Sequence, residues 1–139
     1  MNNGATLADL VDIYSKQVRS ILEFGVPVWN SSITKGESVE LERVQKTFHH
    51  IVLGSSYRSY EAALALTGLE TLESRRKKLC TKFAKKASQH PKHKHWFVPT
   101  ESELPNTRSL KVKFKKPVCR LKRFEKSPIP YLTNLLNIQ

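Results

Sequence analysis

Apolar residues recur at helical spacing through most of the first ninety positions. Leu7, Leu10, Val11, Tyr14, Val18, Ile21 and Leu22 share one face of a predicted first helix. Thr6 and Asp9 have capping-box spacing at its start, with Asp in place of the usual Glu. Gly25 and Pro27 supply the stop. Val26, Val28 and Trp29 follow at once, so the exit segment is itself predicted to be buried, with Trp29 packed over the helix end. A second helix is predicted after Thr34, with Leu41, Val44, Phe48, Ile51 and Val52 as its stripe and Gly54 as its end. Its outer face carries Glu37, Glu40, Glu42, Arg43 and Lys46, a solvated mixture. SYEAALALTG predicts a short third helix, capped by Ser59 and closed by Gly68.

A fourth helix is predicted from about Thr71 to Ser88, with Leu72, Leu79, Phe83 and Ala87 as a narrow stripe and Cys80 and Ala84 on its edge. Arg76 falls on that stripe by angle. It must snorkel out or pair with a carboxylate of a neighbouring helix. Beyond His90 the character changes, and residues 90–109, rich in Pro, His and polar residues, read as a linker. LKVKFKK then alternates apolar Leu110, Val112 and Phe114 with Lys111, Lys113 and Lys115, which is strand period. Pro117 limits that strand to an edge or an extended arm. SPIPYLTNLLN predicts a last short helix, with Pro130 in its first turn and Leu132, Leu135 and Leu136 as its anchor.

The predicted fold class is mainly α: a small helical bundle (1–89), a linker (90–109) and a basic, partly extended C-terminal arm with a short terminal helix (110–139). The predicted bundle core is Leu10, Tyr14, Val18, Ile21, Leu22, Trp29, Leu41, Val44, Phe48, Ile51, Leu64, Leu72, Leu79 and Phe83. Few segments are Gly-rich, and no internal repeat is present. The 139 residues suffice for one domain, and a hydrophobic share of 39% implies a modest core.

Charge adds a second pattern. Residues 1–70 hold six Lys/Arg against eight acids, whereas residues 71–139 hold eighteen against four, so the net charge of +12 comes from the second half. Such asymmetry points to a polyanionic partner, nucleic acid first and an anionic membrane second. Arg75, Lys78, Lys82, Lys85 and Lys86 fall on the side of the fourth helix away from its apolar stripe. They suit phosphate contact, which is electrostatic and independent of sequence, although a solvated face has the same look. The arm offers Lys111, Lys113, Lys115, Lys116, Arg120, Lys122 and Arg123, interleaved with Phe114 and Phe124. Those rings could stack on unpaired bases or tuck onto the helices.

Other chemistries find little footing. His90, His93 and His95 are irregularly spaced, and Cys80 and Cys119 are unpaired, so solvent-facing histidines fit better than a zinc site. His49 and His50 sit at the polar edge of the second helix, as surface or satisfied residues. Cys80, beside apolar positions, reads as an inert buried thiol. No Gly-rich phosphate loop or serine-nucleophile turn occurs. No catalytic residue, metal or cofactor is expected. The N-terminus lacks the basic and apolar regions of a secretion signal, and no apolar run approaches the roughly 20 residues of a membrane helix. The chain is expected to be soluble and intracellular, in nucleus or cytoplasm.

Four stretches, in order, resemble a known family. RSILEFGVPVWN (19–30), LERVQKTF (41–48), YEAALALTGLETLESRRKKL (60–79) and CRLKRFEKSPIPYLTNLLN (119–137) are similar to the C-terminal part of jockey-like non-LTR retrotransposon reverse transcriptases. The family's phrases are "LEY…PVW" after the polymerase palm, then an "(I/L)ERVQ(K/R)" helix and a "L…GL..L..RR" stretch. The resemblance spans about Leu10 to Asn137. It implies a thumb and the region after it, with the fourth helix lying along a primer–template backbone. The parent enzymes polymerise DNA with paired aspartates that hold two metal ions. Here Asp occurs only at Asp9 and Asp12, and there is no aromatic-Ala-Asp-Asp motif. The expectation is therefore a non-catalytic reverse-transcriptase fragment that binds RNA or DNA backbone without sequence preference, and no membrane. The alternative is a helical protein-interaction module that self-associates or docks through an exposed apolar face.

Overall fold

The computed structural model describes residues 4–100 and 113–138, and they are mainly helical. Helix α1 (Leu7–Ile13) continues through a π-helical turn (Tyr14–Val18) into α2 (Arg19–Leu22), followed by α3 (Val26–Trp29), α4 (Lys35–Leu53), α5 (Tyr60–Thr67), α6 (Leu72–Gln89), α7 (Lys122–Glu125) and α8 (Pro128–Asn137). The described residues form two compact units, one of residues 4–25 with 33–76, the other of 26–32 with 77–100 and 113–138. These lines differ from the expected division at 89/90 and 109/110. The C-terminal leucines share a core with α3 and the second half of α6, so the boundary near the middle of the chain falls inside α6, between Arg76 and Lys77.

In the first unit, Asp9 N–H donates to Thr6 Oγ1 at 3.2 Å and Thr6 N–H to Asp9 Oδ2 at 2.8 Å, the capping box read from the sequence. The π-helical turn then rotates everything after it relative to α1, because it spends an extra residue per turn. Val18 and Ile21, expected in the core, consequently face outward, with Ile21 75% exposed. Arg19 and Glu23 take the covered positions instead, 3.5 Å apart.

Helix α4 starts with a second capping box, Thr34 with Glu37. Its expected stripe is also rotated: Val44 and Ile51 are exposed, and Gln45 and His49 are fully buried. Apolar periodicity does not mark these two because both are polar, and both have partners. Gln45 Oε1 accepts from Tyr14 Oη at 3.1 Å, and Gln45 Nε2 donates to Tyr60 Oη at 3.0 Å and to the Glu70 carbonyl at 2.9 Å. Tyr60 in turn donates to Glu42, whose Oε1 also accepts the first backbone N–H of α6, from Leu72, at 3.1 Å. Burial pushes the Tyr14 phenol up to about 12 and raises Tyr60 as well, with the Glu42 hydrogen bond adding to the latter, so both remain donors. The Phe48 ring stacks on Tyr14 with centroids 4.1 Å apart. Arg76, 3% exposed, meets a hydroxyl: its Nη2 donates to Ser38 Oγ at 2.6 Å.

Helix α5 begins at Ser59, whose Oγ accepts from Ala62 N–H, and ends at Gly68, held at φ 66°, ψ 15°, a left-handed conformation that glycine adopts without a Cβ penalty. His49 Nε2 lies 3.0 Å from Thr67 Oγ1, which donates its own proton to the Ala63 carbonyl at 2.8 Å. The imidazole therefore carries its proton on Nε2. Nδ1 is buried with no hydrogen-bond partner among the described residues.

The second unit is built on α8. Pro128 and Pro130 fall in its first turn, where no intrahelical N–H is required. Leu132, Leu135 and Leu136 are buried, as expected, with Val26, Phe97 and the small residues Cys80, Ala84 and Ala87 of α6. The buried line of α6 thus runs through Cys80 and Ala84 rather than Phe83, which is 38% exposed. Small side chains there leave room that the α8 leucines and Phe97 fill. In α3, Val26 is buried and Trp29 packs against the core, but Val28 is exposed. Consecutive residues of a helical turn point about 100° apart, so three bulky neighbours cannot all face inward. Asn30 Nδ2 donates to Tyr131 Oη at 3.0 Å, tying this turn to α8.

Of the expected strand, Leu110, Lys111 and Val112 lie outside the described residues. The rest makes one antiparallel bridge, Pro99 with Phe114, through Lys115 N–H to the Val98 carbonyl (2.8 Å) and Thr100 N–H to the Lys113 carbonyl (3.0 Å). The Asn137 amide serves the outer edge of Phe114: it accepts from Phe114 N–H at 3.0 Å and donates to its carbonyl at 2.9 Å.

Burial lowers the proton affinity of His49 below the ordinary imidazole value of 6.5, and the neighbouring His50 adds to this. The unfolded chain then binds the proton more readily, so the stability His49 contributes is present above the unfolded value and is lost as pH falls below it. The urea midpoint of the chain is expected to fall between about pH 7.5 and about pH 5.5, and to fall less in His49→Gln. Equal falls in both proteins would remove His49 as the cause.

Candidate nucleic-acid interface

Helix α6 turns the alternation of small and basic residues along KLCTKFAKKAS into two faces. With Cys80, Ala84 and Ala87 buried, Lys78, Lys82, Lys85 and Lys86 are exposed on the opposite side. Lys78, Lys82 and Lys86 stand on successive turns, about 6 Å apart along the axis, with Lys85 beside Lys86. Among the described residues, Lys82, Lys85 and Lys86 enter no ion pair. Glu125 is the one acidic residue among the described residues of this unit. Glu73, in its first turn, is the one carboxylate on α6.

Arg75, expected on the same face, belongs elsewhere. It is half-buried in the first unit, where its Nε pairs with Glu23 and its Nη1 lies 3.9 Å from Glu70. Arg19 shares Glu23, and Ser74 Oγ donates to Glu70 at 3.1 Å. The charge of Arg75 is spent on two carboxylates, and Glu23 comes inward through the π turn, which no apolar periodicity could signal.

The arm contributes a second exposed set. Lys113 and Lys115 flank Phe114 and face solvent, as do Lys116, Arg120, Lys122 and Arg123; Lys111 lies outside the described residues. Phe114 itself packs on the core, edge-to-face with Phe97 at 6.0 Å, and its backbone is held by Asn137. It is therefore withdrawn from base stacking, while Phe124 is exposed. Lys92, Lys94 and Lys126, which no helical or strand periodicity singles out, are exposed in the same unit. Lys92 and Lys94 alternate with histidines in HPKHKHW, a stretch whose composition resembles a metal motif more than a basic patch.

Among the described residues, no group of three His, Cys, Asp or Glu side chains gathers as metal ligands. Cys80 is buried and Cys119 half-buried, and both are free thiols. No described helix is long and apolar enough to cross a membrane. An open cleft of about 620 Å³ lies beside α5, lined by Leu53, Ala62, Leu66 and their neighbours, and Arg58 is its one ionisable residue, which offers no acid–base pair. Comparison with known protein families, with curated proteins and with solved structures returns no match.

The two kinds of basic residue differ in what they do for folding. Arg75→Met leaves the covered carboxylate of Glu23 to Arg19 alone and removes a charge-assisted hydrogen bond, so the urea stability is expected to fall by about 1–3 kcal/mol. Lys82→Gln, Lys85→Gln and Lys86→Gln together remove like-charge neighbours, so stability is expected to stay level or rise by a few tenths of a kcal/mol, roughly 0.2–0.5. A fall as large as that of Arg75→Met would make the lysine face a folding element.

Proposed function

We propose that this chain is a non-catalytic C-terminal region of a retrotransposon reverse transcriptase, and that its capacity is to bind the phosphate backbone of RNA or DNA without sequence preference. The observation that carries the binding half is the exposed row Lys78, Lys82, Lys85 and Lys86 on α6, in a unit whose described residues include one acid. Backbone recognition needs mobile cations spaced along a surface, and it needs no base-reading fork. The origin rests on the four phrases at 19–30, 41–48, 60–79 and 119–137, in the order of that family. The non-catalytic half rests on the aspartates: Asp9 and Asp12 are the only two, and they are not a paired motif behind an aromatic-Ala dipeptide.

Lys82→Glu, Lys85→Glu and Lys86→Glu in one chain are expected to weaken binding of a duplex at least tenfold, and to flatten the salt dependence by roughly 0.9 in log–log slope for each phosphate no longer neutralised. Scrambling the duplex sequence is expected to change nothing. Unaltered binding with no response to salt would sink the reading.

A second reading has its own observation. Ile13, Ile21 and Phe24 of the first unit are exposed, as are Val39 and Ile51 of α4. Apolar residues left in solvent on helices favour a protein-interaction module. On this reading, sedimentation shows concentration-dependent self-association that Ile21→Ser with Ile51→Ser abolishes, and nucleic acid binds poorly. A monomer at all concentrations removes self-association.

A further inference from the structure

Helix α6 ends in a row of rings. His90 follows its last residue, and the chain turns through a short 3-10 segment, Lys94–Trp96. His90 N–H donates to the Lys86 carbonyl at 3.1 Å, and His93 N–H and Lys94 N–H both donate to the His90 carbonyl, at 3.0 and 2.9 Å. This winding brings residues three apart onto one side. The His90 and His93 rings stack with centroids 5.0 Å apart and planes 28° from parallel. His93 and Trp96 continue the row at 4.5 Å and 35°, and His95 meets Trp96 edge-on at 5.9 Å.

The row has a fixed base and an open top. Trp96 packs against the buried core, so the ladder is held in place, whereas His90 is exposed. Lys92 N–H donates to His90 Nδ1 at 3.2 Å, which fixes the ring's orientation and leaves the proton on Nε2. Nε2–H is then free to donate to a base edge or a phosphate. Lys92 and Lys94 alternate with the ring-bearing residues and are exposed. They offset the negative end of the α6 dipole, which would otherwise repel a polyanion there. One and two turns back along α6 are Lys86, Lys85 and Lys82.

Aromatic rings with lysines on either side, following a row of lysines, are the parts of a single-strand platform: cations track the backbone, and π-faces take the bases. Paired bases inside a duplex cannot reach such faces. We propose that His90, backed by His93 and Trp96, forms a stacking platform for unpaired nucleotides that continues from the α6 lysine face. This rests on the nucleic-acid reading above and adds to it a preference for single strands, at a site distinct from Phe114, whose ring is packed away.

The test uses the full chain with an unstructured oligonucleotide, oligo(dT) or oligo(U), and with a duplex of the same length, each at two salt concentrations. His90→Ala with His93→Ala, which spares Trp96 and the core, is expected to cut single-strand affinity about tenfold, the size of one missing base–aromatic stack. Duplex affinity is expected to move less than about twofold. Tryptophan emission should be quenched by oligo(dT) in the native chain and less so in the variant. Lys82→Gln, Lys85→Gln and Lys86→Gln together should weaken both ligands. Single-strand binding that survives the histidine variant, or that falls in step with duplex binding, overturns the platform and leaves the lysine reading standing. A native chain that binds neither ligand overturns both.

Discussion

The buried amide of Gln45 is the interaction on which the first unit depends. It meets α1's π turn through Tyr14, α5 through Tyr60, and the entry to α6 through the Glu70 carbonyl. An amide suits this position because it accepts on one atom and donates twice on the other. Glu42 extends the arrangement by taking the Tyr60 hydroxyl and the first N–H of α6. Removing one member of such a network leaves buried donors or acceptors unmet, at roughly 1–3 kcal/mol each. The unit therefore settles its helix positions by matching polar atoms, and much aliphatic surface is left outside.

The second unit follows another rule. Its centre is apolar, with α8's leucines set against Cys80, Ala84 and Ala87, and its described surface is charged almost wholly with one sign. The boundary between the units, inside α6, is also the boundary of charge. At that boundary and before it, several arginines are covered or paired: Arg75 with Glu23 and Glu70, Arg19 with Glu23, Arg76 with Ser38. From Lys77 onward the described cations are mainly lysines at the surface, short of carboxylates. Arginine's planar fork suits fixed, partly buried contacts, and lysine's strongly hydrated ammonium on a flexible stem suits the surface. Glu23 and Glu70 hold Arg75 away from the lysine face of α6, although its angle on the helix placed it there.

Capping and stopping residues are legible from the chain alone. Thr6, Thr34 and Ser59 start their helices, and Gly54 and Gly68 end theirs, because these signals are local. The anchor leucines of α8 are legible too, since a proline-led amphipathic turn has few other uses. Three things are not. The π turn shifts Ile21 outward and Glu23 inward; it has no sequence signature, since it is stabilised by what the turned residues meet. Gln45 and His49 are hidden because apolar periodicity treats polar residues as surface. Phe114 is ambiguous because alternation shows which residues share a face and not which face is covered.

The amino-acid sequence by itself determined the longer helices and most of their ends, the mainly α class and the concentration of positive charge after residue 70, since each follows from local backbone chemistry or from composition; the short turns α3 and α7 were not among them. Only the tertiary structure decided which face of each helix is buried, which arginine is neutralised and which rings are withdrawn or displayed. Those outcomes depend on partners far apart in the chain: Tyr14 with Gln45, Glu23 with Arg75, Phe114 with Asn137. A hydrogen bond or ion pair exists only when both atoms arrive, and local periodicity carries information about one of them at a time.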